Sequence, residues 1–261
     1  MAKIGRKREP IGSREVPRRI INSRSFALLL LALLATGEVA SAGNSEAPLP
    51  GEQQLESGRT TLDEATLLAA RKNFEQCIRE NPIARCEYDL ARTDSYLEQA
   101  KQVHKDKKAA EHWLDSAIEE AKHAVAMDDW SSDAHSLLAD LYGKKIGYGG
   151  MFAGMHYGPK ADAETQRALQ LDPNNPRAYA VLGRKYLFAP KMFGGDVQKS
   201  IETFQKATSL DPHYDEAFVW LAIAYRKSGK EQDATRALAE ALQLSPQSAF
   251  AKQVQSGADV R

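Results

Sequence analysis

The sequence has few of the residues that build catalytic or metal sites. Its 261 residues include only two cysteines and six histidines. No two histidines are four positions apart, and no H-E-x-x-H or comparable ligand spacing occurs. The G-x-S-x-G, phosphate-loop and dinucleotide patterns are also missing. We therefore expect a protein without enzymatic activity, bound metal or cofactor.

An excess of basic charge is missing as well. The 35 Lys and Arg balance the 35 Asp and Glu. Residues 1–42 carry eight of the basic and three of the acidic side chains, so the rest of the chain has a net charge of −5. A mildly acidic chain offers no general basic face for phosphates, which argues against nucleic acid or an anionic membrane surface as partner.

Long hydrophobic runs are missing too, and the apolar run Phe26–Ala35 is only ten residues long. It follows a basic stretch and precedes Ala40-Ser41-Ala42, which is typical of a secretory signal peptide. We expect residues 1–42 to be cleaved and the product to be periplasmic or secreted, with no stable membrane insertion. The Sec and twin-arginine routes stay open. No cysteine lies near the cleavage site, so a lipoprotein is not expected. Residues 43–60 are predicted to be a disordered linker.

The two cysteines, Cys77 and Cys86, lie nine positions apart across Asn81-Pro82. In an oxidising compartment, this even number favours a disulfide between the end of one helix and the start of the next. The alternative is two separate thiols, with Cys77 acting as a small core residue.

A period of 34 residues organises the second half of the chain. Leu210-Asp211-Pro212 recurs as Leu244-Ser245-Pro246, and Leu171-Asp172-Pro173 precedes both. Between Pro212 and Leu244 lie Phe218, Leu221, Ala222, Tyr225, Gly229, Ala234, Leu238 and Ala241. This unit resembles a tetratricopeptide repeat (TPR), in which large residues of one helix meet small residues of the next.

The resemblance implies an all-α fold, a solenoid of helical hairpins wound as a right-handed superhelix. We expect it to cover residues 61–246, with about three good hairpins and one or two degenerate ones. Residues 247–261 are predicted to form a short C-terminal helix or tail.

Two insertions interrupt consecutive units at the same place, the turn inside a hairpin. One adds ten residues between Tyr142 and Ala161, and the other adds five between Tyr186 and Ser200. Neighbouring units stack, so the insertions should lie side by side. They are rich in glycine, aromatics and methionine, which either cap the solenoid or bind a partner. The candidate binding residues are Tyr148, Met151, Phe152, Met155, His156, Tyr157, Phe188, Met192 and Phe193.

A second candidate surface involves Val219, Trp220 and Ile223, which are apolar but lie off the main stripe of their helix. They either pack between repeats or form an apolar patch on the concave wall, with Arg184 and Lys227 at its rim.

The segment from Pro190 to Pro212 is also similar to the TPR component of TRAP-type transporters, through Pro190, Gly194, Gly195, Asp196, Lys199, Ser200 and Phe204. Together these features predict a non-catalytic exported scaffold that binds another envelope protein or peptide. The alternative is a ligand-binding accessory subunit of an uptake system, with a small apolar ligand held between the insertions. Enzymatic activity is the third and least favoured hypothesis.

Overall fold

The structure is a computed structural model that describes residues 47–257. The predicted signal peptide lies outside these residues. Within them the fold is all-α, with ten helices and no strand: α1 Glu52–Thr61, α2 Glu64–Glu80, α3 Ala84–Val103, α4 Lys107–Met127, α5 Ser132–Leu171, α6 Pro176–Phe188, α7 Val197–Leu210, α8 Asp215–Lys227, α9 Glu231–Leu244 and α10 Ala249–Gln255. The predicted all-α fold is therefore confirmed.

Consecutive helices pair into five stacked hairpins, closed by α10. The pairs are α1 with α2, α3 with α4, the two halves of α5, α6 with α7, and α8 with α9. Helix α5 breaks at Gly150, whose φ of 61° and ψ of −141° lie outside helical space. Glycine permits this left-handed backbone without steric cost. The break divides α5 into two helical halves that form a hairpin.

Helix starts follow the sequence signals for N-caps. Asp63, Asp106, Ser131 and Asp196 each accept a hydrogen bond from a backbone N–H in the first turn of the following helix. Asn175 does the same for α6, which has Pro176 in its first turn. These caps satisfy N–H groups that have no partner inside the helix.

The pairing of large with small residues appears directly at Gly183 and Phe204. A Cβ added to Gly183 would lie 2.7 Å from the Phe204 ring, so only glycine permits this approach of α6 to α7. Ser200 Oγ also donates to the Gly183 carbonyl at 2.9 Å. Both Phe204 and Ser200 are fully buried. The repeat pattern thus reports a steric requirement of the hairpin.

Three features depart from the expectation. Residues 52–60, placed in the predicted linker, belong to helix α1, and Leu55 of α1 is fully buried with Leu67 and Phe74. Helix α1 is therefore the first helix of a hairpin whose second helix, α2, carries Cys77. Helix α3 carries few residues of the repeat pattern, yet it is a complete first helix for α4. The first insertion lengthens both halves of α5 and forms no loop.

The predicted disulfide between Cys77 and Cys86 is present, with Cα atoms 6.2 Å apart. It joins the end of α2 to the start of α3. Among residues 47–257, no helix has the length and hydropathy that a membrane span requires.

Candidate functional site

The inner face of the solenoid carries a row of tyrosine and arginine side chains. Tyr88, Arg92 and Tyr96 are spaced every four residues, which puts them on one face of α3. Arg92 Nη2 donates to Glu56 of α1 at 2.9 Å. Tyr96 Oη donates to Glu216 of α8 at 2.9 Å. This face of α3 therefore looks toward the first and the last hairpins, on the concave side of the solenoid. We call the surface that these side chains line the channel.

Further arginines in the channel lie against aromatic rings. The Arg92 guanidinium is 5.7 Å from the Tyr88 ring centre, and that of Arg177 is 5.6 Å from the Tyr214 ring. Such cation–π contacts hold each guanidinium while leaving part of its donor fork available. Arg177 is the least constrained, because its nearest acid, Asp133, is 3.6 Å away and 42% of its side chain is exposed.

A charged clasp bridges the channel between α1 and α8. Arg59 Nη1 donates to Asp215 at 3.1 Å and lies 3.7 Å from Glu216. Burial opposes the charged guanidinium, but its neighbours Tyr96 and Glu216, together with two further acids, outweigh this and raise the pKa of Arg59. We call Arg59, Tyr96, Asp215 and Glu216 the clasp.

The channel tyrosines remain neutral donors. Burial raises the pKa of Tyr88 and of Tyr214 above the usual phenol value. Within residues 47–257 neither hydroxyl makes a hydrogen bond. Both are therefore able to donate to a carbonyl or carboxylate entering the channel.

The insertion residues divide into packed and exposed groups. Tyr148 Oη donates to Glu98 at 2.7 Å, and the Tyr157 ring packs 5.6 Å from that of Tyr142. His156 is exposed beside Lys160. The exposed members of the first insertion are Met151, Phe152 and Met155 at 71%, 86% and 68%.

The second insertion contains a short 3-10 helix, Lys191–Phe193, followed by Gly194 in a left-handed conformation. Met192 is 81% exposed, Phe193 52% and Phe188 42%. Phe188 also makes an edge contact with Trp220, with ring centres 5.9 Å apart. This insertion therefore caps the solenoid with Phe188 while it presents Met192 to solvent.

The proposed apolar patch on α8 does not exist as a surface. Val219 is fully buried and Trp220 is 9% exposed, because both pack between repeats beside Phe250. Ile223 packs on the same core. Of the expected rim, Arg184 pairs with Asp140 and lies over Trp220, and Lys227 Nζ donates to the Leu187 carbonyl at 2.6 Å. In the structure these apolar residues therefore pack between repeats.

Sequence reasoning missed the channel residues. Tyr88, Arg92 and Tyr96 lie on a helix that lacks most of the repeat pattern, and Arg59 lies in the predicted linker. The four-residue spacing of Tyr88, Arg92 and Tyr96 was the available signal. The pairing of Arg59 with Asp215, 156 positions later, left no signal in the sequence.

The comparisons with known proteins agree with this architecture. A family model described as Regulator of microtubule dynamics protein 1-3 matches residues 90–260, from α3 to beyond α10. The chain belongs to this family. It is 26% identical over 171 residues to Regulator of microtubule dynamics protein 3 of Rattus norvegicus, covering 59% of this chain and 36% of the relative. The Mus musculus protein of the same name is 27% identical over 134 residues, covering 45% and 28%.

The chain thus spans about a third of the length of the relatives that it matches. Among solved structures, TTC0263, a TPR protein of Thermus thermophilus, superposes with a TM-score of 0.59 at 20% identity, covering 79% of this chain and 97% of that one. This likeness shows the fold, and it confirms the TPR resemblance. The TRAP similarity has no counterpart among these relatives.

Two surface clefts among residues 47–257 lie away from the insertions. One, of about 630 Å³, is lined by Arg226, Leu238, Gln255 and their neighbours on α8, α9 and α10. The other, of about 380 Å³, lies at the turns around Ser131, Asp172 and Asp211. No group of three metal-ligating side chains occurs among residues 47–257.

Proposed function

We propose that this TPR protein is a non-catalytic scaffold of the cell envelope whose channel holds a segment of another envelope protein. The observation that supports this most is the row of Tyr88, Arg92, Tyr96, Arg177 and Tyr214, which the structure brings together from α3, the start of α6 and the residue before α8. Tyrosine and arginine are the residues most often found to dominate binding energy at protein interfaces.

The chemistry of the channel favours a segment with an acidic side chain. The ion pair of Arg177 with Asp133 is loose, so the guanidinium is able to donate hydrogen bonds to a second carboxylate. The free hydroxyls of Tyr88 and Tyr214 suit the carbonyls of an extended backbone. The other arginines already have acidic partners within hydrogen-bond reach.

The names of the rat and mouse relatives connect them with microtubule dynamics. Because the matched part is the TPR solenoid and about a third of their length, we carry over only protein binding. Location in the envelope rests on the predicted signal peptide.

The uptake-subunit alternative requires an apolar pocket between the insertions. The two clefts described above are not lined by insertion residues. The insertion residues that would face a ligand are instead packed or solvent-exposed. We therefore favour the scaffold.

Site-directed photo-crosslinking in the producing cells tests the proposal. A benzophenone residue at Tyr88 or Tyr214 should capture one defined protein, which is identified and then purified. Binding of that protein should fall about tenfold or more in Arg177→Ala, as for a lost charged contact. The control is Arg236→Ala on α9, where the side chain is 79% exposed.

Equal capture from a probe placed at Arg236, or equal affinity of the two alanine variants, would contradict channel binding. N-terminal sequencing of the cell-derived protein checks the envelope part separately. A product that still begins at Met1 in the cytoplasm would refute it.

A further inference from the structure

Exposed apolar side chains collect at one edge of the solenoid. Ten large hydrophobic residues among residues 47–257 are strongly exposed. Seven of them lie at the turns inside hairpins: Val103, Met151, Phe152, Met155, Phe188, Met192 and Phe193. Stacked hairpins place these turns together on one edge, which we call the hairpin edge.

Side-chain contacts connect adjacent turns along this edge. Gln102, at the end of α3, donates to the Tyr148 hydroxyl near the tip of α5 at 2.8 Å. Lys227, at the end of α8, donates to the Leu187 carbonyl at the end of α6 and lies 5.4 Å from the Phe188 ring centre. The turns of the second and third hairpins are therefore neighbours, and so are those of the fourth and fifth.

The hairpin edge is also strongly basic. In the second to fifth hairpins, the inner turns at residues 101–108, 143–161, 186–196 and 226–231 hold eleven basic side chains against three acidic ones, Asp106, Asp196 and Glu231. The basic residues are Lys101, Lys105, Lys107, Lys108, Lys144, Lys145, Lys160, Lys191, Arg226, Lys227 and Lys230. Three of the lysines, Lys101, Lys144 and Lys145, pair with acids of neighbouring helices, and eight basic side chains remain. The inner turn of the first hairpin is acidic, with Asp63 and Glu64. The turns between hairpins, at residues 80–83, 127–133, 171–177, 210–216 and 244–248, hold eight acidic side chains and one basic, Arg177. Charge is thus polarised across the solenoid.

The second and third hairpins are longer than the fourth and fifth. Helices α3 and α4 have 20 and 21 residues and the two halves of α5 share 40, whereas α8 and α9 have 13 and 14. At 1.5 Å per residue, the neighbouring tips of the second and third hairpins extend about 7 to 10 Å farther than those of the fourth and fifth. The tip of α5 carries Met151, Phe152 and Met155, and no acidic residue lies between Asp140 and Asp162.

We propose that the hairpin edge docks on the surface of an anionic phospholipid bilayer, with Met151, Phe152 and Met155 entering the interface. Two neighbouring tips, one carrying Met151, Phe152 and Met155 and the other Lys105, Lys107 and Lys108, match what interfacial binding needs. The excess of lysine favours an anionic surface, and the exposed apolar side chains favour one with an accessible apolar interior. The channel plays no part in this docking, so the proposal is independent of the proposed function.

The zero net charge does not oppose this docking. At physiological salt, electrostatic interactions are screened beyond about 8 Å, so the membrane responds to the local charge of the nearest edge. The acidic turns lie at the other end of the helices. The expectation from composition used the net charge of the whole sequence, which averages a basic and an acidic edge that the fold separates.

Vesicle cosedimentation tests the proposal, with protein purified from the producing cells in the form that accumulates there. All variants keep the same N-terminus, so residues 1–42 contribute equally if they are retained. The probes are vesicles of phosphatidylcholine alone and of phosphatidylcholine with phosphatidylglycerol. The protein should bind the anionic vesicles, and raising the salt should weaken binding.

Replacing Met151, Phe152 and Met155 together by Ser should reduce binding by about tenfold or more, because burial of their apolar surface is lost. Lys105→Gln, Lys107→Gln and Lys108→Gln should each reduce it by about fivefold at low salt. The matched control is Trp130→Ser, since Trp130 is 78% exposed but lies between hairpins on the acidic edge. All of these side chains are exposed, so the melting temperatures should stay within a few degrees.

Failure to bind anionic vesicles, equal binding by the serine variant, or an equal loss in Trp130→Ser would overturn the proposal. If the serine variant instead loses a copurifying protein while vesicles do not bind, the edge is a protein interface and the membrane proposal is wrong.

Discussion

The guanidinium of Arg59 lies 3.1 Å from the carboxylate of Asp215, which joins the first hairpin to the last across the channel. The side chain of Asp215 is 7% exposed, so this acid depends on Arg59 for a charged partner. Any segment that occupies the whole channel must compete with this pair. The clasp therefore couples the position of α1 to the access of a partner.

Arg59→Ala should destabilise the protein by about 1 to 3 kcal/mol, because a buried carboxylate loses its charged donor. Urea unfolding measures the loss, and amide exchange should rise first in α1. The control Arg236→Ala removes an exposed pair with Asp233 and should cost less than about 0.5 kcal/mol. Equal costs for the two variants would show that the clasp adds no stability.

Gly183→Ala should destabilise the α6/α7 hairpin by about 1 to 3 kcal/mol, since the new methyl group overlaps the Phe204 ring. Gly143→Ala is the matched control, because a Cβ there meets nothing within 4 Å. It should stabilise helix α5 by about 0.5 to 1 kcal/mol. Thermal unfolding distinguishes the two signs, and a stabilising Gly183→Ala would contradict the packing described here.

Replacing Cys77 and Cys86 together by Ala should lower stability by about 2.5 kcal/mol, from the entropy of closing a short loop in the unfolded chain. Urea unfolding is compared with and without reductant. Reductant should shift the midpoint of the wild type and leave that of the double variant unchanged. A wild-type midpoint that is insensitive to full reduction would show that the bridge contributes nothing.

Stability should fall as pH rises above about 4.5, because of two buried carboxyls that face each other near Arg71. Burial raises the pKa of both Asp94 and Glu120. Neither Asp94 Oδ2 nor Glu120 Oε2 accepts a hydrogen bond. A proton shared between the two carboxyl groups would give both oxygens a partner. Between the ordinary and the raised pKa, the folded state holds more protons than the unfolded state, so the free energy of unfolding decreases with pH.

Glu120→Gln should flatten this pH dependence, because its amide supplies the donor at every pH. The control is Glu119→Gln, since Glu119 precedes Glu120 in α4 and its side chain is 64% exposed. Urea titrations from pH 4.5 to 9 measure the slope. A slope that survives in Glu120→Gln would assign the pH dependence to other groups.

The repeat pattern by itself predicted helical hairpins and the packing of large against small side chains inside them, of which Gly183 and Phe204 are an example in the structure. Such pairs are local, since they join two helices linked by one short turn, and the spacing of large and small residues encodes them. The disulfide was also predictable, because Cys77 and Cys86 flank a single turn.

Only the tertiary structure decided the channel, the clasp and the polarised edges. Whether Val219 and Trp220 line a surface or a core depends on the neighbouring repeat, which the helix pattern does not specify. Arg59 meets Asp215 only because five hairpins wind far enough to bring α1 back to α8. The small rotation from each hairpin to the next accumulates along the solenoid, and no local spacing in the sequence records that sum.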